Sequence, residues 1–278
     1  MEQGVREQRL VLAVIGVTAL AFLMMPIVIV VPMSFSSAQA LTFPPPGLSW
    51  RWYDSLFGDP DWMEAVWTSL GIAAISASSA LVLGGLAAYG LDRGLQRWRS
   101  LAEANFMAPL IVPGVITAVA LYFVFAWTGL LGTYLGLVIA HTILAVPLII
   151  IMIGASLRSL DVRIEQVAWS LGASWSQAIG RVVLPTLAPS IVAAWIFAFV
   201  TSFDEIIVTS FVAGAQTTVP KKMYEDLILE ITPTITAVAT LLIGTTVVAL
   251  GLVHLLLKRG QLPSVQTGPA AGSTHSTQ

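Results

Sequence analysis

The chain has 278 residues, of which 56% are hydrophobic and only 10% charged, and its mean hydropathy is +0.86. Soluble domains usually carry about 25% charged residues, so this chain cannot cover a soluble surface and needs lipid. A net charge of −2 speaks against a nucleic-acid-binding face, and the lack of cysteine excludes thiol chemistry and disulfides.

Apolar runs long enough to cross ~30 Å of hydrocarbon fall at residues 10–33, 65–91, 104–128, 134–157, 190–213 and 235–257. Lipid offers the backbone no partner, so an all-α membrane protein of about six transmembrane helices is expected. The first run follows Arg6 and Arg9 and precedes Ala38-Gln39-Ala40, which imitates a signal-peptide cleavage site. It is too long for a signal peptide and reads as a retained helix. Between the first two runs, Trp50, Trp52, Trp62 and Trp67 suggest a headgroup belt among Asp54, Asp59, Asp61 and Glu64. Pro109 and Pro113 predict kinks in the third run, and Pro147 in the fourth.

Basic residues orient the spans. Arg6, Arg9, Arg93, Arg97, Arg99, Arg158, Arg163, Arg181, Lys258 and Arg259 fall on one side, against Arg51, Lys221 and Lys222 on the other. The rule that positive loops stay inside puts both termini in the cytoplasm. Residues 1–259 form the membrane domain, and 260–278, rich in Gly, Pro, Ser, Thr and Gln, reads as a disordered cytoplasmic tail.

The cytoplasmic loop 158–189 carries the strongest local signals. Asp161 is placed to cap a short helix whose Ile164, Val167, Ala168 and Leu171 form one apolar stripe. Gly172 ends it. Ser174 and Gln177 have capping-box spacing for a second helix, which Pro185 and Pro189 are expected to bound before the fifth span. The product is a projecting knob suited to a groove on another protein.

This loop resembles the EAA loop of ABC importer permeases: Glu-Ala-Ala, three residues, Gly, nine residues, Ile-x-Leu-Pro. Gly172, Val182, Leu184 and Pro185 match that spacing, while the triplet falls on Gln166, Val167 and Ala168. Gln166 stands where the pattern has Glu. Glu165 lies one position earlier, at a different helical angle. Further segments resemble the spermidine/putrescine branch of these permeases: Ser34-Phe35-Ser36, Phe43-Pro44-Pro45, Arg51-Trp52-Tyr53, Thr68-Ser69-Leu70, Gly85 to Arg93, Ser202 to Glu205 and Ser210 to Gly214.

The resemblance implies a type I importer permease fold in a bacterial inner membrane. It implies a non-enzymatic subunit that pairs with a homologous permease, docks on two copies of an ABC ATPase and receives solute from an extracytoplasmic binding protein. The chain has no Gly-x-x-x-x-Gly-Lys-Ser/Thr phosphate loop, so no cofactor is expected in it, and ATP and Mg belong to the ATPase. The coupling residues it implies are Glu165, Gln166, Val167, Ala168, Gly172, Ala173, Ser174, Leu184 and Pro185.

Asp204 and Glu205 are acidic neighbours inside the fifth run. An intramembrane carboxylate suggests a pathway or partner site. They would attract an ammonium group, with Trp195, Phe199 or Tyr122 adding cation–π attraction. Because successive residues diverge by ~100°, one of them can serve helix packing instead. Ser69, Thr68, Thr142, Thr201, Ser202 and Thr209 read as helix-bonding hydroxyls, and Glu225, Asp226 and Glu230 as a solvated outer segment that could dock a binding protein. The histidines (His141, His254 and His275) have no metal-ligand spacing and read as structural. The expected function is import of a small cationic, polyamine-like solute. The alternatives are another amine, an amino-acid derivative or opine-type solute, or an ion-coupled secondary transporter, although no inverted repeat is visible.

Overall fold

The computed structural model describes residues 2–94, 97–229 and 232–260. The expected tail lies, beyond Gly260, outside the described residues, as does Glu230. The helices are α1 (Glu2–Ser34), α2 (Arg51–Gly58), α3 (Pro60–Arg93), α4 (Arg99–Ile111), α5 (Gly114–Thr128), α6 (Tyr134–Ser159), α7 (Val162–Ser170), α8 (Trp175–Ala178), α9 (Leu184–Phe203), α10 (Ile207–Val212), α11 (Val219–Leu229) and α12 (Thr234–Gly260). A π-helical turn, Ile179–Val183, joins α8 to α9. Five stretches are each long and apolar enough to span a bilayer: Gln8–Ser34, Pro60–Arg93, Tyr134–Ser159, Trp175–Phe203 and Thr234–Leu255. The pair α4 and α5 makes a sixth only when taken together.

That pair is bent by 101°, far more than a kink. Pro113 forces the residue before it out of helical geometry, and Val112 is extended at φ −74, ψ 131. The fifth run also departs from the expected single helix over 190–213. Its helix begins earlier, runs through Pro185 and Pro189 without a boundary, and ends at Phe203. The π turn explains the passage of Pro185. Leu184 N–H reaches back to Ile179 C=O, a wider spacing that lifts the proline ring off the carbonyl four residues behind it.

Helices α3 and α6 form the spine. Ala73, Ala77, Ala80, Gly84 and Ala88 present small side chains that let the backbones approach. A Cβ on Gly84 would lie 2.8 Å from Ile149 and 3.1 Å from the Val146 carbonyl. Two apolar clusters divide this spine by level. One joins Ala77 to Leu91 of α3 with Ala145 to Leu157 of α6 and with Leu187, Ala194 and Ala198 of α9, and Phe106 and Met107 of α4 pack against it. The other joins Ile72 and Leu137 to Ala118 and Phe125 of α5 and to Val208 and Val212 of α10. The bend at Val112–Pro113 and the break after Phe203 both separate helices of the first cluster from helices of the second.

At the end opposite the α7 loop, α2 and α11 pack on α3 and α12. Trp52 and Trp62 are buried there, so they are core residues rather than members of an aromatic belt; Trp50 and Trp67 are exposed. Trp52 Nε1 donates to Ser36 C=O at 2.8 Å, and the Lys222 ammonium sits 5.1 Å above the Trp62 ring. Helix α1 packs on α12 and leaves residues 8–26 exposed.

The projecting knob and the acidic break

The knob is built from local signals. Asp161 accepts Arg163 N–H at 2.9 Å and starts α7. Gly172 stops it at φ +89, a conformation that suits glycine. Ser174 and Gln177 then close a reciprocal capping box that starts α8. Of the apolar stripe, Ile164, Val167 and Leu171 are exposed, Leu171 at 83%, and Trp169 and Trp175 are exposed beside them. Gln166 is exposed, Ala168 and Ala173 are half-buried, and Leu184 and Pro185 are exposed on the first turn of α9.

Glu165 points the other way. It is only 1% exposed, accepting from Arg93 Nε at 3.0 Å and from the Tyr89 hydroxyl at 2.9 Å. The helical angle that separates it from Gln166 turns it into the body of the protein, so its side chain is not on the outer surface of the knob. Arg93 also donates to the carbonyls of Leu160 and Leu157 at 3.2 and 3.4 Å, and to Asp92 at 2.5 Å. One guanidinium thus ties the ends of α3 and α6 to α7, using the fork geometry that arginine offers and lysine lacks. The Trp175 ring meets Tyr89 edge-on at 5.9 Å, so α8 joins the same node. Tyr89 and Trp175 also line an apolar groove of about 480 Å³ between α3 and α9.

The second candidate site is the break between α9 and α10, at Asp204–Ile206. Asp204 caps the end of α9 at φ −91, ψ 1, and its side chain is exposed. Glu205 is half-buried, and its Oε1 accepts Val208 N–H at 2.7 Å, satisfying an orphan donor at the start of α10. The two carboxylates therefore differ in role. Glu205 is occupied as a cap, and among the described residues Asp204 shows no side-chain hydrogen bond or ion pair.

The expected aromatic partners are only partly gathered. Asp204 and Phe199 line a cleft of about 30 Å³ with Phe203 and with Leu242, Thr245 and Thr246 of α12. Trp195 stacks on Phe199 at 5.4 Å, and Phe199 on Phe203 at 5.9 Å. However, ~100° per residue puts Trp195 on the opposite side of α9 from Asp204. Its indole donates to Ser78 of α3 at 3.0 Å. Tyr122 lies on α5 and pairs with Phe123, apart from this ladder. Phe197 and Thr201, absent from the expected set, share the exposed face of α9 with Asp204. Their helical spacing from Asp204 was a signal available in the sequence.

The family model for binding-protein-dependent transport system inner membrane components matches residues 80–260. The chain belongs to this family. This permease is 35% identical over 246 residues to the putrescine transport system permease protein PotI of Escherichia coli (strain K12), covering 85% of each chain. It is 29% identical over 241 residues to the spermidine/putrescine transport system permease protein PotC of Haemophilus influenzae, covering 86% of this chain and 93% of that one. Its fold is similar, at a TM-score of 0.66 and 16% identity, to a chain of the bacterial alginate ABC transporter in complex with an alginate pentasaccharide-bound periplasmic protein. That match covers 93% of this chain and 96% of the other.

The permease is thus a multi-pass inner-membrane transporter subunit, not an enzyme, with the type I ABC importer permease fold. The sequence did not reveal the inward role of Glu165 or its partners Tyr89 and Arg93. Tyr89 and Arg93 lie one turn apart on α3 and so share a face, but 72 residues separate Arg93 from Glu165.

Proposed function

We propose that this permease is one half of a pore that imports a small cationic amine of the putrescine or spermidine class, driven by ATP hydrolysis on a separate ATPase. The exposed knob anchored through Glu165 carries this reading. Its apolar outer surface, Val167, Leu171 and Trp175, suits a groove on the ATPase, and its buried acid ties any displacement of that surface to α3 and α6. Gln166 contributes a neutral amide to the contact, and Ala168, Ala173, Ser174, Leu184 and Pro185 shape it. Two ATPase copies, with their ATP and Mg, serve this permease and a homologous partner permease. An extracytoplasmic binding protein delivers solute to the opposite end.

The excess of Lys and Arg on the knob side supports a cytoplasmic knob and cytoplasmic termini. The substrates named for the relatives support an amine, and Asp204 is the free carboxylate to meet it, with Phe197, Phe199 and Thr201 nearby. Glu205, already a cap, serves the backbone. The test is putrescine uptake into proteoliposomes holding the full complex with its binding protein. ATP-dependent uptake that is lost in Leu171→Asp together with ATPase co-purification supports the proposal. Uptake driven by an ion gradient without ATP would sink it.

A further inference from the structure

The imidazole of His141 is 2% exposed and lies in the N-terminal third of α6, the most buried of the candidate spans. Its Nδ1 is 2.8 Å from Ser202 Oγ, on the last turn of α9. Its Nε2 is 2.9 Å from Thr209 Oγ1, on the first turn of α10. One ring therefore bridges both flanks of the acidic break. Thr209 donates its hydroxyl proton to the Glu205 carbonyl at 2.9 Å, so its oxygen accepts from Nε2–H. In the neutral ring this leaves Nδ1 to accept the proton of Ser202.

A helix break at membrane depth frees backbone groups that lipid cannot satisfy. Here Glu205 Oε1 takes the Val208 N–H, Thr209 takes the Glu205 carbonyl, and His141 holds the two hydroxyls on either side. Ser202 and Thr209 are themselves buried, at 5% and 0% exposure, so the ring is the hydrogen-bonding link from α6 to both sides of the break. The α10 side is gripped a second time, where Gly132 N–H donates to Val212 C=O at 2.9 Å and Gly132 meets Gly214 backbone to backbone. Among the described residues, no second hydrogen bond of this kind holds the α9 side at the break. Its last turn is referenced to α10 through Ser202 and the imidazole.

We propose that His141 is the positioning residue of the acidic break: it locks the end of α9 to the start of α10 and so sets where the Asp204 carboxylate stands. Its consequence for transport rests on the reading of Asp204 as the solute's carboxylate; the lock itself does not.

The chain has no cysteine, so with the other subunits made cysteine-free, paired spin labels at Val192 and Phe211, both exposed, report the geometry across the break. The measurement uses the full complex in lipid. The parent is expected to show one narrow distance distribution. His141→Leu and the near-isosteric Thr209→Val should broaden or shift it, and His141→Gln, whose amide can donate and accept in the same two directions, should recover it. Putrescine uptake by the unlabelled complex should show a half-saturating concentration raised on the order of tenfold in His141→Leu and recovered in His141→Gln. Distributions that superimpose on the parent in both His141→Leu and Thr209→Val would overturn the lock, whatever uptake does. A changed distribution with unchanged putrescine affinity upholds the lock and overturns the role of Asp204.

Discussion

Two acidic neighbours do different work because their side chains meet different donors. Glu205 spends an oxygen on Val208 N–H, while Asp204 faces the cleft beside α12. Replacing Glu205 with Gln keeps a carbonyl oxygen for the cap, so putrescine uptake should stay within about threefold of the parent. Asp204→Asn removes the negative charge that lines the cleft, and the half-saturating putrescine concentration should rise on the order of tenfold or more. Uptake kinetics of the two variants at equal complex abundance decide the matter; equal effects would defeat the division of roles. At the knob, Glu165→Gln removes the charge from a buried pair while Arg93 keeps Asp92 and two carbonyls. The expected loss is about 2 kcal/mol, near or below the low end for breaking a buried pair. It is read as a lowered midpoint of SDS-driven unfolding in mixed micelles, and Tyr89→Phe should cost about 1 kcal/mol by the same measure.

At the scale of the element, the knob depends on a sharp turn between two short helices. Gly172→Ala places a Cβ at φ +89, a cost of about 1–2 kcal/mol that the loop can relieve only by opening. Because nothing lies within 4 Å of that Cβ, the penalty is conformational rather than steric crowding. The expected outcome is a folded permease whose ATP hydrolysis per putrescine imported rises; an unchanged ratio would show that the turn is not under tension during coupling. The caps flanking this turn were readable in advance, since Asp161, Ser174 and Gln177 bond to backbone groups two or three residues away. The spans were readable for a similar reason: hydropathy is a running local property. The bend at Val112–Pro113 was visible as prolines but not as 101°, because its size depends on what α5 packs against. The break after Phe203 was hidden. Ser202-Phe203-Asp204-Glu205 carries no proline or glycine to announce a break, and of the bonds of Glu205, His141 and Thr209 that hold the new start, those of His141 join residues far apart in sequence. His141, read as an isolated residue in an apolar run, could not disclose partners 61 and 68 residues away.

For the whole molecule, the two apolar clusters give one body at the knob end and another at the opposite end, joined through the α3–α6 spine. The bend in α4–α5 and the break in α9–α10 both fall between these bodies. Under the proposed coupling role, Arg93 would pass a displacement received by α7 into α3 and α6, with α5 and α10 responding as a second packed unit. This arrangement carries solute inward only if the knob faces the ATP-containing side, the orientation that the excess of Lys and Arg predicts. The absence of cysteine makes the orientation directly testable. Single cysteines at Ser176, exposed on the knob, and at Asp61, exposed at the opposite end, leave the nodes described above intact. In intact spheroplasts a membrane-impermeant maleimide should label Asp61→Cys and spare Ser176→Cys, which should react only after permeabilisation. The reverse pattern would turn the molecule over and remove the ATPase from the knob, since hydrolysis of cytoplasmic ATP could not then act on α7.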